Sequence, residues 1–225
     1  MTDLNEVRRL LDQEGYAYLA ELPQGFDHLE FLSGLGEVLP QYDGRRVWDL
    51  VPEPGMDDVY HSRNTQALVP HTEGYELPGL PPRYVALWCV RPAEGVGGET
   101  TLADGYALLE RFSPDDRAAM RDARYTWRSS EGLARKGIVI ENRHPIVTRH
   151  RDRWILRFSE NNVEPTGDQL LGRVIREGTR FFEREHRAVS IVRNGLLAWD
   201  NWRMIHSRNA FVDRGRHLKR VLLGS

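Results

Sequence analysis

Cysteine is almost absent from this sequence, since Cys89 is the only one among 225 residues. A single thiol can build neither an internal disulfide framework nor a cysteine-rich zinc site. Cys89 lies within an almost continuously apolar run, and no neighbour along the chain would lower the pKa of its thiol. We therefore predict that Cys89 is a core residue.

An excess of charge of either sign is also missing, because 31 basic and 33 acidic residues leave a formal net charge of −2. A protein so close to neutrality lacks the strong field that binds nucleic acids or anionic membranes. No stretch approaches the ~20 apolar residues of a membrane span. The first twelve residues lack the apolar core of a signal peptide. These absences predict a cytoplasmic globular protein that binds no nucleic acid and no membrane.

Repeats, low-complexity tracts and linker-like segments are not found either. The length suits one domain, and 40% hydrophobic residues with six tryptophans can supply a sizeable core. We predict a single domain over residues 1–225. The oligomeric state cannot be read from these features.

Helix-start signals mark several segments. Asp3 and Glu6 have the spacing of a capping box, and Gly15 stands where a glycine often ends a helix. The pair Ser113-Pro114 is typical of a helix start. We predict helices over 3–15 and 26–38. Two more should follow a loop at 95–105, and the second of these begins at Ser113-Pro114. A longer helix should begin at Thr166, with Gln169 completing its capping box, and reach about Arg184.

Apolar runs and alternating patterns predict strands over 16–22, 45–51, 83–90 and 216–223. The pair Asn194-Gly195 lies between two further strand-like runs, 189–192 and 196–199, and is the strongest short hairpin signal in the chain. Helices near the front and many short strands behind them predict an α+β domain with a β-sandwich or barrel core.

Three histidines are followed two residues later by an acid, as in the first half of a common iron site: His28/Glu30, His71/Glu73 and His150/Asp152. His28 falls in a predicted helix, where residues two apart do not share a face. His150 lies in a charge cluster typical of an exposed turn. His71 follows Pro70, which favours extended backbone, and there residues i and i+2 point the same way. Only His71 and Glu73 therefore remain as a candidate metal-binding pair.

A facial triad needs a second histidine from elsewhere in the chain and open positions on the metal. His206 is the best candidate, because it follows an apolar strand that ends in polar residues at 200–201. A purely structural, hydrogen-bonded role for His206 is an equally open interpretation at this point.

Arginines alternate with leucines in the last predicted strand, where Arg216, Leu218, Arg220 and Leu222 share one face. A buried guanidinium needs an anionic partner, because an unpaired buried charge is costly. A small dicarboxylate could supply that partner through bidentate hydrogen bonds. The alternative is that both arginines face solvent at a sheet edge.

These residues, in this order, resemble the TauD/TfdA-type, clavaminate-synthase-like iron(II)/2-oxoglutarate dioxygenases. The resemblance runs from about Val69 to the C-terminus and depends on these blocks: Pro70-His71-Thr72-Glu73-Gly74, Gly97-Gly98-Glu99-Thr100-Thr101, Asp104-Gly105, Trp199-Asp200-Asn201 with His206, and Arg216 with Arg220. It implies a mainly β, α+β fold: a distorted double-stranded β-helix, or jelly roll, flanked by helices.

The resemblance also implies roles for individual residues. His71, Glu73 and His206 would bind Fe(II). Thr100 and Arg216 would bind the distal carboxylate of 2-oxoglutarate. Arg220 matches a position that binds either the cosubstrate or an anionic substrate group. Asp200 and Asn201 would shape the turn that presents His206.

The implied reaction uses O2 and 2-oxoglutarate as cosubstrates to hydroxylate an unactivated C–H bond. The motifs resemble hydroxylases of amino acids, free or carrier-bound, in natural-product biosynthesis. Desaturation, cyclisation and epimerisation stay open, whereas the intact carboxylate of Glu73 argues against halogenation. A zinc hydrolase using the same ligands and a non-catalytic jelly-roll binding module are the alternatives from other classes.

Substrate contacts are expected in three places. One is the loop from Tyr60 to Val69, with His61, Arg63 and Asn64 as its polar members. Another is the glycine-rich, basic stretch 129–143, which contains Arg135 and Lys136 and has the composition of a lid. The third is Arg208, two residues beyond His206. An ordinary solvated loop is the alternative for the stretch 129–143.

Overall fold

Two antiparallel sheets with helices on their outer sides form the frame of the molecule. The computed structural model describes residues 3–59 and 61–225. The helices are α1 Leu4–Glu14, α2 His28–Ser33, α3 Gly105–Leu109, α4 Pro114–Asp122, α5 Glu131–Ala134 and α6 Gln169–Glu185. The strands are β1 Tyr16–Leu19, β2 Val38–Leu39, β3 Trp48–Leu50, β4 Tyr84–Arg91, β5 Thr100–Asp104, β6 Tyr125–Arg128, β7 Glu141–His144, β8 Val147–His150, β9 Arg153–Leu156, β10 Arg187–Val189, β11 Leu196–Asp200, β12 Met204–Arg208 and β13 His217–Leu223.

The larger sheet has the order β1-β11-β4-β13-β2, with β3 also paired to β13. The smaller sheet has the order β10-β5-β12. One core cluster contains Leu197 and Leu222 from the larger sheet together with Leu102 and Met204 from the smaller one. The two sheets therefore pack face to face, which confirms the predicted mainly β, α+β jelly-roll class.

Helices pack on the outer side of each sheet. Val7 and Leu11 of α1 pack with Ala198 and Val221 on the outer face of the larger sheet. The amphipathic helix α6 packs in a separate cluster with β8 and β9, close to the smaller sheet. Within the described part of the chain, no helix combines the length and apolarity that crossing a membrane demands.

Two predicted helix starts are confirmed and one is wrong. The Asp3 side chain accepts from Asn5 N at the start of α1, and Ser113 forms a capping box with Asp116 at the start of α4. Helix α6 is capped by Asp168, whose carboxylate accepts from a backbone N–H inside the helix. Thr166 lies two residues before this cap and instead accepts from the N–H of Asp168.

The predicted hairpin around Asn194-Gly195 is also wrong. The tight turn itself is present, with Asn194 at a φ of 63° and Gly195 N donating to Val192 O at 2.9 Å. However, β10 pairs with β5 of the smaller sheet, whereas β11 lies between β1 and β4 of the larger one. The turn therefore connects a strand of the smaller sheet to a strand of the larger one, and its two flanking strands do not pair with each other.

The segment 95–105, predicted as a loop, contains strand β5. This strand pairs with β12 over five residues and places Leu102 opposite His206. Pattern analysis missed it because the run 100–104 is short and follows two glycines. Its side chains are nonetheless buried on both faces, apart from the partly exposed Asp104 at its end.

Replacing Leu102 by alanine should lower the free energy of unfolding by about 2–5 kcal/mol, because the side chain is buried between the sheets. Val96→Ala is the matched control, since Val96 in the preceding loop is 92% exposed, and its effect should stay within about 0.5 kcal/mol. Urea denaturation measures both variants. Equal losses in the two would contradict the packing described here.

Candidate active site

His71 and His206 lie directly opposite each other across an antiparallel backbone pair. His71 N donates to His206 O at 2.9 Å, and His206 N donates to His71 O at 2.8 Å. Residues paired in this way project their side chains to the same side. Their imidazole centroids lie 4.2 Å apart. The backbone pairing alone thus brings together two candidate metal ligands that are distant in sequence.

Glu73 joins the two histidines because the segment after Pro70 is extended. Thr72 points to the opposite side, where its N–H and its hydroxyl bond the backbone of Phe158 at 2.9 and 3.1 Å. The Glu73 carboxylate therefore returns to the side of His71 and lies 4.0 Å from Nε2 of His206. One ligand atom from each of the three residues falls within 4.8 Å of the other two.

The protonation states of both imidazoles suit a metal ion. His71 Nδ1 lies 2.9 Å from the carbonyl of Val69, so its proton belongs on Nδ1 and its lone pair on Nε2. Burial lowers the pKa of His71, and burial, with help from His71 and Arg220, holds the pKa of His206 well below its usual range. Both rings are neutral near pH 7. Two imidazoles and one carboxylate are the donor set of a mononuclear iron site, so the residues fit Fe(II).

Asn201 holds the backbone of the carboxylate ligand. Its side-chain oxygen accepts from Glu73 N at 2.6 Å, and its amide nitrogen donates to the carbonyls of Glu73 and Pro82, both at 2.9 Å. Asp200 accepts from Trp202 N within the turn before β12. Asp200 thus shapes the turn, as the resemblance implied, but Asn201 additionally fixes the position of Glu73.

Arg220 is buried and bonds the same carboxylate. Its Nη1 donates to Glu73 Oε2 at 2.8 Å, while Nε and Nη2 both donate to Gln41 Oε1, at 3.1 and 3.0 Å. The guanidinium carbon also lies 4.7 Å from the centre of the Trp48 ring. The solvent-facing alternative for Arg220 is therefore wrong. The structure places this charge beside a candidate metal ligand.

Arg216 is equally buried but has a different environment. It donates to Gly98 O at 2.9 Å and lies 5.0 Å from the Phe211 ring. Among residues 3–59 and 61–225, no acidic side chain forms an ion pair with it. Burial lowers its pKa to about 10, which still leaves it charged at neutral pH. The solvent-facing alternative is wrong here as well.

A cavity connects Arg216 to the candidate metal ligands. Thr100, Arg216 and all three ligands line it, together with Trp199 and Arg220. Gly98 adopts a φ of 83°, and a Cβ there would lie only 3.3 Å from Arg216 Nε. At Gly97 a Cβ would lie 1.8 Å from the carbonyl oxygen of Ala210. The two glycines of this motif therefore let the backbone approach closely beside Arg216.

A second cavity adjoins the first one. His71, Glu73 and Arg220 line both cavities, and the second is completed by residues that include Tyr42, Trp48, His61, Glu76, Ser130 and Leu133. Sequence reasoning missed Gln41, Tyr42, Trp48 and Glu76. Gln41, Tyr42 and Trp48 reach the site because β3 and the loop before it pack against β13. Glu76 joins them through the hydrogen bond that it accepts from Tyr42.

The expected substrate contacts divide into cavity-lining and structural residues. His61 lines the second cavity, and burial lowers its pKa to about 4. Arg63 instead pairs with Glu53 at 3.1 Å. The Asn64 side chain donates to Val59 O at 2.7 Å. Tyr60, also proposed from the sequence, lies outside the described residues.

Arg208 lines the first cavity, but its bonds go to the protein. It donates to Ser62 O at 2.7 Å and to Asn64 Oδ1 at 2.8 Å, and also to Gln66 O. These contacts fix the loop 62–66 against β12. The expectation that Arg208 offers its charge to a substrate is not supported.

The stretch 129–143 lies over the second cavity, where Ser130 and Leu133 contribute to the wall. Its two expected basic residues face away from the cavity. Arg135 pairs with Asp58 at 2.9 Å, and Lys136 pairs with Glu53 at 2.6 Å. These ion pairs connect the stretch to the loop before His61.

A double-sheet fold with a buried His-Glu-His site that lines a cavity defines a metal-dependent oxygenase of the jelly-roll type. A family model described as "Taurine catabolism dioxygenase TauD, TfdA family" matches residues 2–222. The chain belongs to this family, and it is a 2-oxoglutarate-dependent dioxygenase. A sequence search of curated proteins gives no match.

Solved structures with the same fold include several iron oxygenases. An asparagine oxygenase in complex with Fe(II), 2S,3S-3-hydroxyasparagine and succinate has a TM-score of 0.80 at 19% identity, covering 98% of this chain and 78% of that one. The non-heme iron oxygenase OrfP in complex with Fe and alpha-ketoglutaric acid has a TM-score of 0.76 at 21% identity, covering 99% and 79%. PvcB from Pseudomonas aeruginosa has a TM-score of 0.69 at 24% identity, covering 99% and 80%.

Replacing Asn201 by alanine should weaken Fe(II) binding about 10–100-fold, because the backbone of Glu73 loses its support. The free energy of unfolding should also fall, by about 1–3 kcal/mol for each buried group left unpaired. Anaerobic calorimetric titration measures the affinity, with Asn5→Ala on exposed α1 as the control. A loss of stability with unchanged affinity would limit Asn201 to a folding role.

Proposed function

We propose that the protein hydroxylates an unactivated C–H bond of an amino acid or amino-acid derivative, free or carrier-bound. The observation that carries this proposal is a buried His-Glu-His cluster whose three residues line one cavity and two of which, His71 and Glu73, also line a second cavity with different polar groups. The asparagine oxygenase and OrfP support the substrate class, because their structures hold hydroxylated amino acids.

His71, Glu73 and His206 would hold the iron, which together with 2-oxoglutarate and O2 supplies the oxidising chemistry when bound. The protein holds the ligand side chains in position and controls the access of water to them. The hydrogen bond from His71 to Val69 O fixes one ring, and Asn201 fixes the backbone of the carboxylate ligand. Trp199, whose ring centroid lies 4.8 Å from that of His206, excludes water from one side.

Arg216 and Thr100 would receive the distal carboxylate of 2-oxoglutarate. Arg216 has a buried positive charge without an acidic partner among the described residues, and Thr100 lines the same cavity. A carboxylate placed there would form charge-assisted hydrogen bonds and compensate the desolvated guanidinium. 2-Oxoglutarate bound in the first cavity in this way would direct its other end towards the three ligands.

Arg220 is the better candidate for an anionic group on the substrate, because it reaches the second cavity and Arg216 does not. Two of its nitrogens bond only the neutral amide oxygen of Gln41. A substrate carboxylate could replace this weaker acceptor while Nη1 stays on Glu73. His61 would add a donor, because its Nδ1 accepts from Arg63 N and its proton therefore belongs on Nε2.

Hydroxylation is the reaction we favour, since it needs no further group beyond the triad and the two cavities. Desaturation, cyclisation and epimerisation use the same groups and depend on how the substrate is positioned. A zinc hydrolase or a binding module would leave the buried charge of Arg216 without a role, and family membership favours the oxygenase. The cytoplasmic location, carrier presentation and single-domain organisation stay predictions from the sequence.

Metal-free protein titrated anaerobically with Fe(II) and 2-oxoglutarate should develop a weak visible charge-transfer band. His71→Ala and His206→Ala should abolish the band while the protein stays folded, because each removes one of the three proposed protein ligands. Far-UV circular dichroism provides the folding control. A full band in either variant would refute the assignment of the triad.

Arg216→Ala should raise the 2-oxoglutarate concentration needed for half of the band by about 10–100-fold, because a charge-assisted pair is lost. Its effect on Fe(II) affinity should be small. Arg214→Ala is the matched control, since Arg214 lies two residues earlier and pairs with Asp57 at the surface. If both variants behave alike, the distal carboxylate is bound elsewhere.

A further inference from the structure

Glu76 is a buried acid that the proposed reaction does not use. It lies three residues beyond Glu73, is 1% exposed and lines the second cavity. Its Oε1 accepts from the Tyr42 hydroxyl at 2.7 Å, whereas its Oε2 is buried with no hydrogen-bond partner among the described residues. The protein therefore supplies a donor to one oxygen of this carboxyl group, and the other oxygen has none among the described residues.

The hydrogen bond from Tyr42 fixes the direction of this group. Burial and the charges of Glu76 and Glu73 raise the pKa of Tyr42 well above its usual range, so the phenol remains a donor. The ring of Tyr42 lies 5.9 Å from that of Trp48, which also lines the cavity. A carboxylate beside the aromatic ring of Tyr42 is an environment that favours a cation.

Once the other charged groups around the site have been paired or assigned, Glu76 is left without an oppositely charged partner. Glu73 is paired with Arg220 and is a candidate metal ligand, and Arg216 is assigned to the cosubstrate. No lysine, arginine or histidine among residues 3–59 and 61–225 forms an ion pair with Glu76. Burial accordingly raises the pKa of Glu76 to about 7, and a bound cation would lower it again.

We infer that the second cavity is specific for substrates with a protonated nitrogen, and that Glu76, oriented by Tyr42, binds this nitrogen. The inference rests on the proposed function and narrows its substrate class. The substrate would be zwitterionic at the site, with its carboxylate on Arg220 and its ammonium or guanidinium on Glu76. Two sources of the nitrogen have the same chemistry: the α-amino group and a basic side chain.

Four six-carbon acids separate these sources at constant chain length: hexanoate, 2-aminohexanoate, 6-aminohexanoate and 2,6-diaminohexanoate. The three-carbon series propionate, alanine, β-alanine and 2,3-diaminopropionate repeats the design for a smaller cavity. Binding is measured by anaerobic calorimetry on protein loaded with Fe(II) and 2-oxoglutarate. In at least one series, the affinity for an ammonium compound should be higher than that for the plain acid by about tenfold or more.

Glu76→Gln should reduce this preference to about threefold or less, because the amide keeps the shape and the bond to Tyr42 but loses the charge. Tyr42→Phe should reduce it partially. Glu110→Gln, which changes an exposed acid at the end of α3, should leave it intact. Thermal unfolding shows whether each variant is folded, and the visible band shows whether its metal site is complete.

The outcomes separate the two proposals. If wild-type protein forms no band with Fe(II) and 2-oxoglutarate, the proposed function fails and this inference fails with it. If the band forms but no ammonium compound is preferred in either series, only this inference is overturned. It is likewise overturned if the preference is unchanged in Glu76→Gln, or if that variant loses the band itself.

Discussion

The two backbone hydrogen bonds between His71 and His206 are the interaction on which the rest of the site depends. They attach the extended segment 70–73 to β12, and β12 is in turn held by β5. Alternation along the extended segment then places Glu73 beside the histidines, and strand pairing brings Thr100 near the end of β12. The candidate metal site is therefore a property of sheet pairing.

Desolvation organises the chemistry around these ligands. A buried charge is costly unless it is paired, so each buried charge indicates that a group of opposite charge binds beside it. Arg220 finds one within the protein, on Glu73. Arg216 and Glu76 have no oppositely charged partner among the described residues, and they lie in different cavities. A carboxylate of the cosubstrate would pair with Arg216, and a cationic group of the substrate would pair with Glu76.

How far the sequence could predict the fold differs from element to element. Helices α1 and α4 were predicted because their caps are local hydrogen bonds between residues a few positions apart. The Asn194-Gly195 turn was also predicted, but the pairing of its flanking strands was not. Turn chemistry is local, whereas strand pairing is decided by which distant strand offers the longer ladder, as β4 does for β11.

The sequence by itself determined the jelly-roll class and the candidate metal ligands and arginines, because extended alternation and ordered motifs are local or family-wide signals. Only the tertiary structure decided that Arg220 bonds Glu73, that Arg208 fixes a loop, and that Tyr42 and Glu76 meet in the second cavity. The physical reason is that these contacts join residues separated by dozens of positions. Their distances depend on how the sheets and loops pack, which no spacing in the chain records.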